Sequence, residues 1–401
     1  WTGANNTNWN DAGNWSTATV PNAADVNVTI SSGPTNQPVI ASGDTYQVAS
    51  VIVGAGAAIT NLGTIQVAGS IYTANTGAIN NIQAGIVTGS IEMNGSCTVA
   101  QKIAGNVFAA NSVKNFIVSN DVTVSGIGGE QLNVAGELGF GSASNKTITT
   151  NDNLTLLSTV NATANVGKIL NGNIISGKVT VERYINTGIG GGQHTKGWQF
   201  LATPAKGQSV YDAWQEGGAT PTGYGTIITG TGSGFDITTA QPSMKFFDPA
   251  VGAGGNWVGI TNTANEINDK RGYMIFVRGD RTVNTAAAPA NTTNLRIKGT
   301  LYQPSDPAPS TAVPAGKFTA VGNPYASAID LNYMKNNGHF VNLDNNAVVW
   351  DPLMVGSFNY GGYQTLAAAN NYVPTAGGTS FYPTSVPAPY IQSGQAFFVH
   401  S

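Results

Sequence analysis

In the first half of the chain, apolar positions alternate with small polar ones in short bursts. Tyr46–Val53, Thr64–Val67, Ser70–Thr73, Gly89–Met93, Asn115–Ser119, Asp121–Ser125, Gln131–Val134, Lys146–Thr149, Asn153–Leu157 and Gly172–Val181 all carry this pattern. A period of two is the signature of a half-buried strand. No helical pattern of useful length separates these segments. Strands joined without helices can stack as successive turns of a coil, each turn covering the apolar row of the last. The same alternation also suits an antiparallel sandwich or meander. Asn-Gly and Asp-Gly hairpin signals are scarce, and apolar anchors return at roughly 20-residue spacing between Val53 and Ile175, which points to the solenoid. Gly63, Gly69, Gly77, Gly85, Gly89, Gly95 and Gly105 are expected at its corners, where a positive φ favours glycine.

Near Gly177–Ile185 the texture changes: aromatics, charges and prolines become denser, and a Gly-rich link, Gly188–Gly192, follows. The predicted architecture is all-β. It has an N-terminal β-solenoid of the parallel β-helix kind over 1–185 and a β-sandwich-like module over 186–401, as one domain or two subdomains. In the second part Tyr273–Val277 and Ala396–Val399 are near-continuous apolar runs, suited to burial on both faces of a sandwich. Gly322-Asn-Pro-Tyr325 reads as a turn. Ser209–Glu216 and Asp330–Lys335 are the two segments with helical character, each one or two turns long.

The chain opens with Trp1, Trp9 and Trp15 close together, ahead of a first strand at Val26–Ile30. Flat indoles can stack on sugar rings, and they can equally form the apolar lid that the open end of a solenoid needs. The first residues read as a processed end. The last five, Phe397–Ser401, read as a strand cut short, so the natural polypeptide is expected to continue or to have lost a sorting segment.

Composition narrows the picture further. Only 9% of the 401 residues are charged, against roughly a quarter in typical soluble domains, while 51 are glycine. The surface must therefore be built from Asn, Thr, Ser, Gln and Gly, and little charge repulsion opposes contact between copies. The net charge of −3, without clustered Lys and Arg, excludes a nucleic-acid partner. No run reaches the ~18 apolar residues of a membrane span. The single cysteine, Cys97, has no intramolecular disulfide partner and reads as a small buried hydrophobe. A disulfide-free chain of this kind suits a bacterial surface.

Two sets of residues carry a resemblance. Trp1, Gly3, Trp9, Ala12-Gly-Asn-Trp-Ser16, Pro21, Ala24-Asp25, Val28 and Ile30 fit the opening of many secreted surface proteins of the Bacteroidota. Further on, an ordered series spans about 220 residues: Val181–Ile185, Gly197–Pro204, Gly272–Asp280, Val321–Asp330 and Tyr390–Val399. It resembles the β-rich module that precedes the sorting domain in large adhesin-like cell-surface proteins exported by the type IX secretion route. The resemblance implies an extracellular or outer-surface location and a surface role, not a reaction.

Chemistry is sparse. His194, His339 and His400 lie far apart in Gly- or Asn-rich surroundings, and no zinc-protease, Cys-x-x-Cys, nucleophile-elbow or P-loop motif occurs. Gly126–Gly129 and Gly188–Gly192 match phosphate loops in composition only, since no helix follows. A glycosidase needs two carboxylates across a cleft. Asp121, Glu130 and Glu137 in the first half, and Asp212, Glu216, Asp248, Glu266, Asp269 and Asp351 in the second, supply acids without a spacing that selects a pair. Arg278-Gly-Asp280 reads as a turn after a strand rather than an integrin motif. Scattered Asp and Asn leave calcium open, although no EF-hand loop is present. No catalytic, cofactor-binding or metal-binding residue is assigned, and no cofactor is expected.

The expectation is therefore a non-enzymatic structural or adhesive protein. It would either self-associate through strand edges or end-to-end stacking, or stand as a monomeric stalk. Two other classes stay open. One is a carbohydrate-binding module using exposed tryptophans among Trp1, Trp9, Trp15, Trp198, Trp214, Trp257 and Trp350. The other is a polysaccharide lyase or hydrolase.

Overall fold

The structure, a computed structural model, describes residues 1–71, 77–96, 99–126, 131–170, 172–187, 196–354, 361–374 and 386–401. It is nearly all β, with 6% helix. Two compact units form: Trp1–Thr180 with Gln303–Ser305, and Val181–Tyr302 with Asp306–Ser401.

The first unit is a parallel β-solenoid of about six turns. Each full turn lays one short strand on each of three faces. The longest face stacks Thr45–Val48, Thr64–Val67, Ser90–Met93, Phe116–Val118, Glu137–Phe140 and Asn165–Val166, all parallel. Its register aligns Tyr46, Ile65, Ile91, Phe116, Leu138 and Val166 in one row, and Val48, Val67, Met93, Val118 and Phe140 in a second. Thr45–Val48, Thr64–Val67 and Phe116–Val118 bury alternate positions, and Ile65, Ile91, Phe116 and Leu138 are fully buried. Burying such a side chain stabilises by about 1.5–3 kcal/mol, and a one-residue slip would turn the whole row to solvent, so the alternation sets the register. The other faces repeat the arrangement, with Gln101–Ala104, Val122–Ser125, Thr147–Thr149 and Ile174–Ser176 on one. Ser112–Val113, Leu132–Val134 and Leu154–Leu156 stack on the other.

Two predicted segments turn a corner part-way. Tyr46–Val53 is divided between Thr45–Val48 and Ser50–Val53, and Gly172–Val181 between Ile174–Ser176 and Val179–Ile185. Of Ser70–Thr73, Ile71 makes a parallel bridge to Ile103, while the end of that segment and Cys97 lie outside the described residues. Apolar anchors recur at uneven intervals, from 19 residues (Tyr46 to Ile65) to 28 (Leu138 to Val166), because corners absorb insertions. One insertion is a hairpin, Ile82–Gln83 against Ile86–Val87, turning through Ala84 and Gly85 at φ 48° and 80°.

The corner glycines are present for a different reason than expected. Of the seven, only Gly85 has a positive φ. At Gly63, Gly69, Gly77, Gly89, Gly95 and Gly105 a Cβ would instead sit 2.2–2.4 Å from a backbone carbonyl oxygen of a neighbouring turn. Close stacking at the corners excludes the side chain, which is the second physical role of glycine within a sheet.

The opening tryptophans form a lid. Trp9 is fully buried and Trp15 nearly so; their rings meet edge-to-face at 4.8 Å, as do those of Trp1 and Trp15. Trp9 lies 5.7 Å from Tyr46, the start of the long apolar row. Trp9 N–H donates to the Val39 carbonyl and Val39 N–H to that of Thr7, so the lid also pairs with an early strand edge. At the far end, Gln303 brackets Ile175, its Oε1 accepting from the Ile175 amide at 2.6 Å and its Nε2 donating to the Ile175 carbonyl at 2.9 Å.

The second unit is built on antiparallel sheets. One has the order Gly197–Leu201, Tyr273–Val277, Met244–Asp248, Asn256–Gly259; another runs Phe318–Gly322, Ala396–His400, Ala347–Asp351, Gly362–Leu366. They face one another through Phe200, Met274, Ala320, Ala396 and Phe398, with Phe247, Trp257 and Trp350 at the margin. The second sheet turns Val321, Val349, Phe397 and Val399 to a separate core with Leu331, Tyr372 and Ile391.

Asp330 caps the helix Leu331–Asn336 by accepting from the Asn332 and Tyr333 amides. Ser209–Glu216, by contrast, does not form the predicted helix. It is a set of irregular turns in which Ala213 N–H bonds back four residues, Gln215 five and Gly217 six, and Glu216 is left-handed at φ 51°. The two glycines after Glu216 leave nothing to propagate a helix. The Gly322–Tyr325 turn is organised by buried Asn323, whose Nδ2 donates to the Ser327, Ile391 and Gln392 carbonyls.

Candidate functional site

Most residues singled out in the sequence are engaged in holding the fold. Asp280 is 1% exposed: its Oδ2 accepts from the Gly223 amide at 2.6 Å and its Oδ1 from the Thr282 amide and hydroxyl. Burial pushes this carboxyl up, but the bonds from Thr282 and Gly223 outweigh it and hold it below the usual Asp value. The Arg278-Gly-Asp280 sequence is thus a locked turn, with Gly279 at φ 128°.

Glu216 is forked by Arg296, with Nη2 at 2.6 Å from Oε2. Asp351 is fully buried and accepts from the Leu353 amide. Asp212 accepts from Ser209 Oγ, Asp248 from the Ala250 amide, and Asp121 from the Thr147 amide. Glu137 is exposed at the start of its strand. Among the described residues no group of three or more His, Cys, Asp or Glu side chains is assembled. His339 stacks on Tyr333, and His400 Nδ1 lies 3.0 Å from Asp344 Oδ2. His194, Glu130 and most of both Gly-rich loops lie outside the described residues.

The tryptophans are taken up largely by packing. Trp9, Trp15 and Trp214 are buried, and Trp1, Trp198, Trp257 and Trp350 are half-buried, tied into ring contacts or hydrogen bonds.

A cleft of about 280 Å³ does open in the second unit, under the loop joining Asn256–Gly259 to Tyr273–Val277. Val210, Phe246, Val258, Ile260 and Tyr273 wall it, and Asn262, Asn265, Glu266, Asn268 and Arg271 bring polar groups to it. The loop is pinned at several points. Thr263 Oγ1 donates to the Gly234 carbonyl, Ile267 N–H to that of Gln208, and the Asn268 amide to Tyr273 Oη. Burial raises the Tyr273 hydroxyl above the ordinary tyrosine value, so it stays a neutral hydrogen-bonding group. Asn262 and Asn268 each use Oδ1 to close a local turn, accepting from the Ala264 and Lys270 amides. Glu266 Oε1 accepts from the Gly207 amide at 3.1 Å. Asp269, three residues on, is bonded instead to the Tyr302 hydroxyl.

Arg271 is the distinctive group. Its guanidinium carbon lies 4.4 Å from the Phe246 ring centroid, a cation–π contact. Among the described residues no carboxylate lies in ion-pair range of it. The other arginines donate to protein oxygens: Arg183 to Ser393, Arg278 to Ile227, Arg281 to Asp236 and Arg296 to Glu216. Sequence reasoning passed over Arg271 and Phe246 because neither belongs to a motif. The available signal was local density, with Glu266, Asp269, Lys270 and Arg271 packed into six residues of a charge-poor chain.

No known protein family, characterised protein or solved structure matches this chain.

Proposed function

We propose that the chain is a non-enzymatic structural or adhesive protein of a bacterial outer surface, of the kind exported by the type IX route in Bacteroidota. The supporting observation is the six-turn parallel solenoid built almost without charge. Its backbone ladders and continuous apolar rows make a stiff scaffold whose side chains are spent on stacking. The motif series quoted above supports the location. Of the two mechanical versions, a separate stalk is favoured over end-to-end fibres. The opening segment pairs through Thr7 and Trp9 with the edge at Val39, and Gln303 occupies the edge of Ile174–Ser176 at Ile175.

Immunogold labelling of thin-sectioned cells, with negative-stain microscopy of the purified native protein, tests both parts. Surface label with discrete particles is expected. A cytoplasmic label would overturn the location, and long fibres would overturn the stalk.

A further inference from the structure

We propose that the Arg271 cleft is a binding site for a carboxylate-bearing sugar ring, a uronic acid residue of an acidic glycan. The guanidinium supplies a planar fork of donors matched to a carboxylate, and its central carbon packs over the Phe246 ring at 4.4 Å. It is the one arginine among the described residues whose guanidinium makes no hydrogen bond to the protein. Asn262 and Asn268 each spend the amide oxygen on the loop's own turns, which leaves the amide NH₂ as a donor to hydroxyls. Glu266 keeps Oε2 as an acceptor, Oε1 being the atom bonded to Gly207. A ligand with an anionic group at one end and hydroxyls at the other meets both signs of charge in this cleft. A simple anion would meet Glu266 as a repulsive neighbour. The volume, about 280 Å³, lies at the lower end of small-molecule sites, which suits one ring. The pinned loop limits the ordering cost of binding. This site does not depend on where the protein resides or whether it polymerises.

The test is titration calorimetry of the intact chain with sodium glucuronate, glucose, sodium acetate and a short peptide with a free C-terminus. Glucuronate should bind, and more tightly than glucose or acetate. Raising the salt should weaken it. Arg271→Lys keeps the charge but loses the fork, and should weaken glucuronate by about tenfold or more. Circular dichroism confirms that this variant is folded. Asn265→Ala removes a cleft-lining amide that has no side-chain hydrogen bond among the described residues and so faces the ligand hydroxyls. It serves as a second variant, expected to weaken glucuronate while leaving acetate unchanged. Equal binding of glucose, equal binding of acetate, tighter binding of the peptide, no binding of glucuronate, or an unaffected folded Arg271→Lys would each overturn the proposal.

Discussion

Gly89→Ala is the sharpest probe of why the solenoid is rich in glycine. A Cβ on Gly89 would lie 2.2 Å from the Asn61 carbonyl oxygen and 2.6 Å from Asn81 Oδ1. Contacts under 3.0 Å are essentially never made by real Cβ atoms, so the turns must part by about 0.8 Å. The neighbouring Ser90 N–H to Gly63 carbonyl bond, 2.8 Å, would then stretch to about 3.6 Å, beyond hydrogen-bonding reach. The same parting disturbs the buried Asn61 Nδ2 to Asn81 Oδ1 bond, 3.0 Å. Overpacking costs about 1–3 kcal/mol and one lost ladder bond about 1 kcal/mol, while alanine returns about 0.4–1 kcal/mol through the unfolded chain. The net expectation is a loss of roughly 1–3.5 kcal/mol. Gly33→Ala is the control: Gly33 is exposed, with nothing within 4 Å of its Cβ position, so the change should be near neutral. Amide hydrogen exchange, read on peptides covering 58–67 and 89–93, reports local opening without assuming that the two units unfold together. If Gly89→Ala protects these peptides as well as Gly33→Ala does, the stacking argument is wrong.

Trp9→Ala should destabilise the lid by about 3–5 kcal/mol and expose early strand edges, so sedimentation velocity should show new association; a monomeric, equally stable variant would count against the lid. Arg281→Ala removes both guanidinium bonds to Asp236, of 2.8 and 3.1 Å, leaving that carboxylate only the Ile228 amide among the described residues. It should cost about 3–5 kcal/mol in chemical denaturation, while Arg281→Lys, lacking the fork, should not restore it. The depressed carboxyl of Asp280 contributes stability that is full above the unfolded-state Asp value near pH 4 and is lost as pH falls through the lower folded value. Urea midpoints from pH 7 down to pH 2.5 should therefore fall less steeply for Asp280→Asn, from a lower starting stability; parallel curves would refute this assignment.

Many of the solenoid strands, their inward face and the class of fold were legible in the chain itself, whereas strands such as Ala58–Asn61, Gln101–Ala104 and Glu137–Phe140 were passed over. Period-2 alternation is a local property, and rows such as Ile65, Ile91 and Phe116 need only be apolar at the right parity to declare which face is buried. The lid was half legible: three tryptophans announced an apolar cluster or a sugar platform, and the packing of Trp9 against Trp15 and Tyr46 exists only in the folded chain.

Which strands stack, and at what offset, was not legible, because parallel pairing joins segments 19 to 28 residues apart across corners of unequal length. The reason for the corner glycines was equally hidden, since a clash with a neighbouring turn exists only once the turns are stacked. The cleft depended on tertiary structure more completely still. Arg271 and Phe246 stand 25 positions apart without a motif, and antiparallel pairing of Met244–Asp248 with Tyr273–Val277 brings them together. Alternation along the chain dictates what is buried, whereas the meeting of side chains from separate strands is settled by long-range pairing, which short sequence windows do not encode.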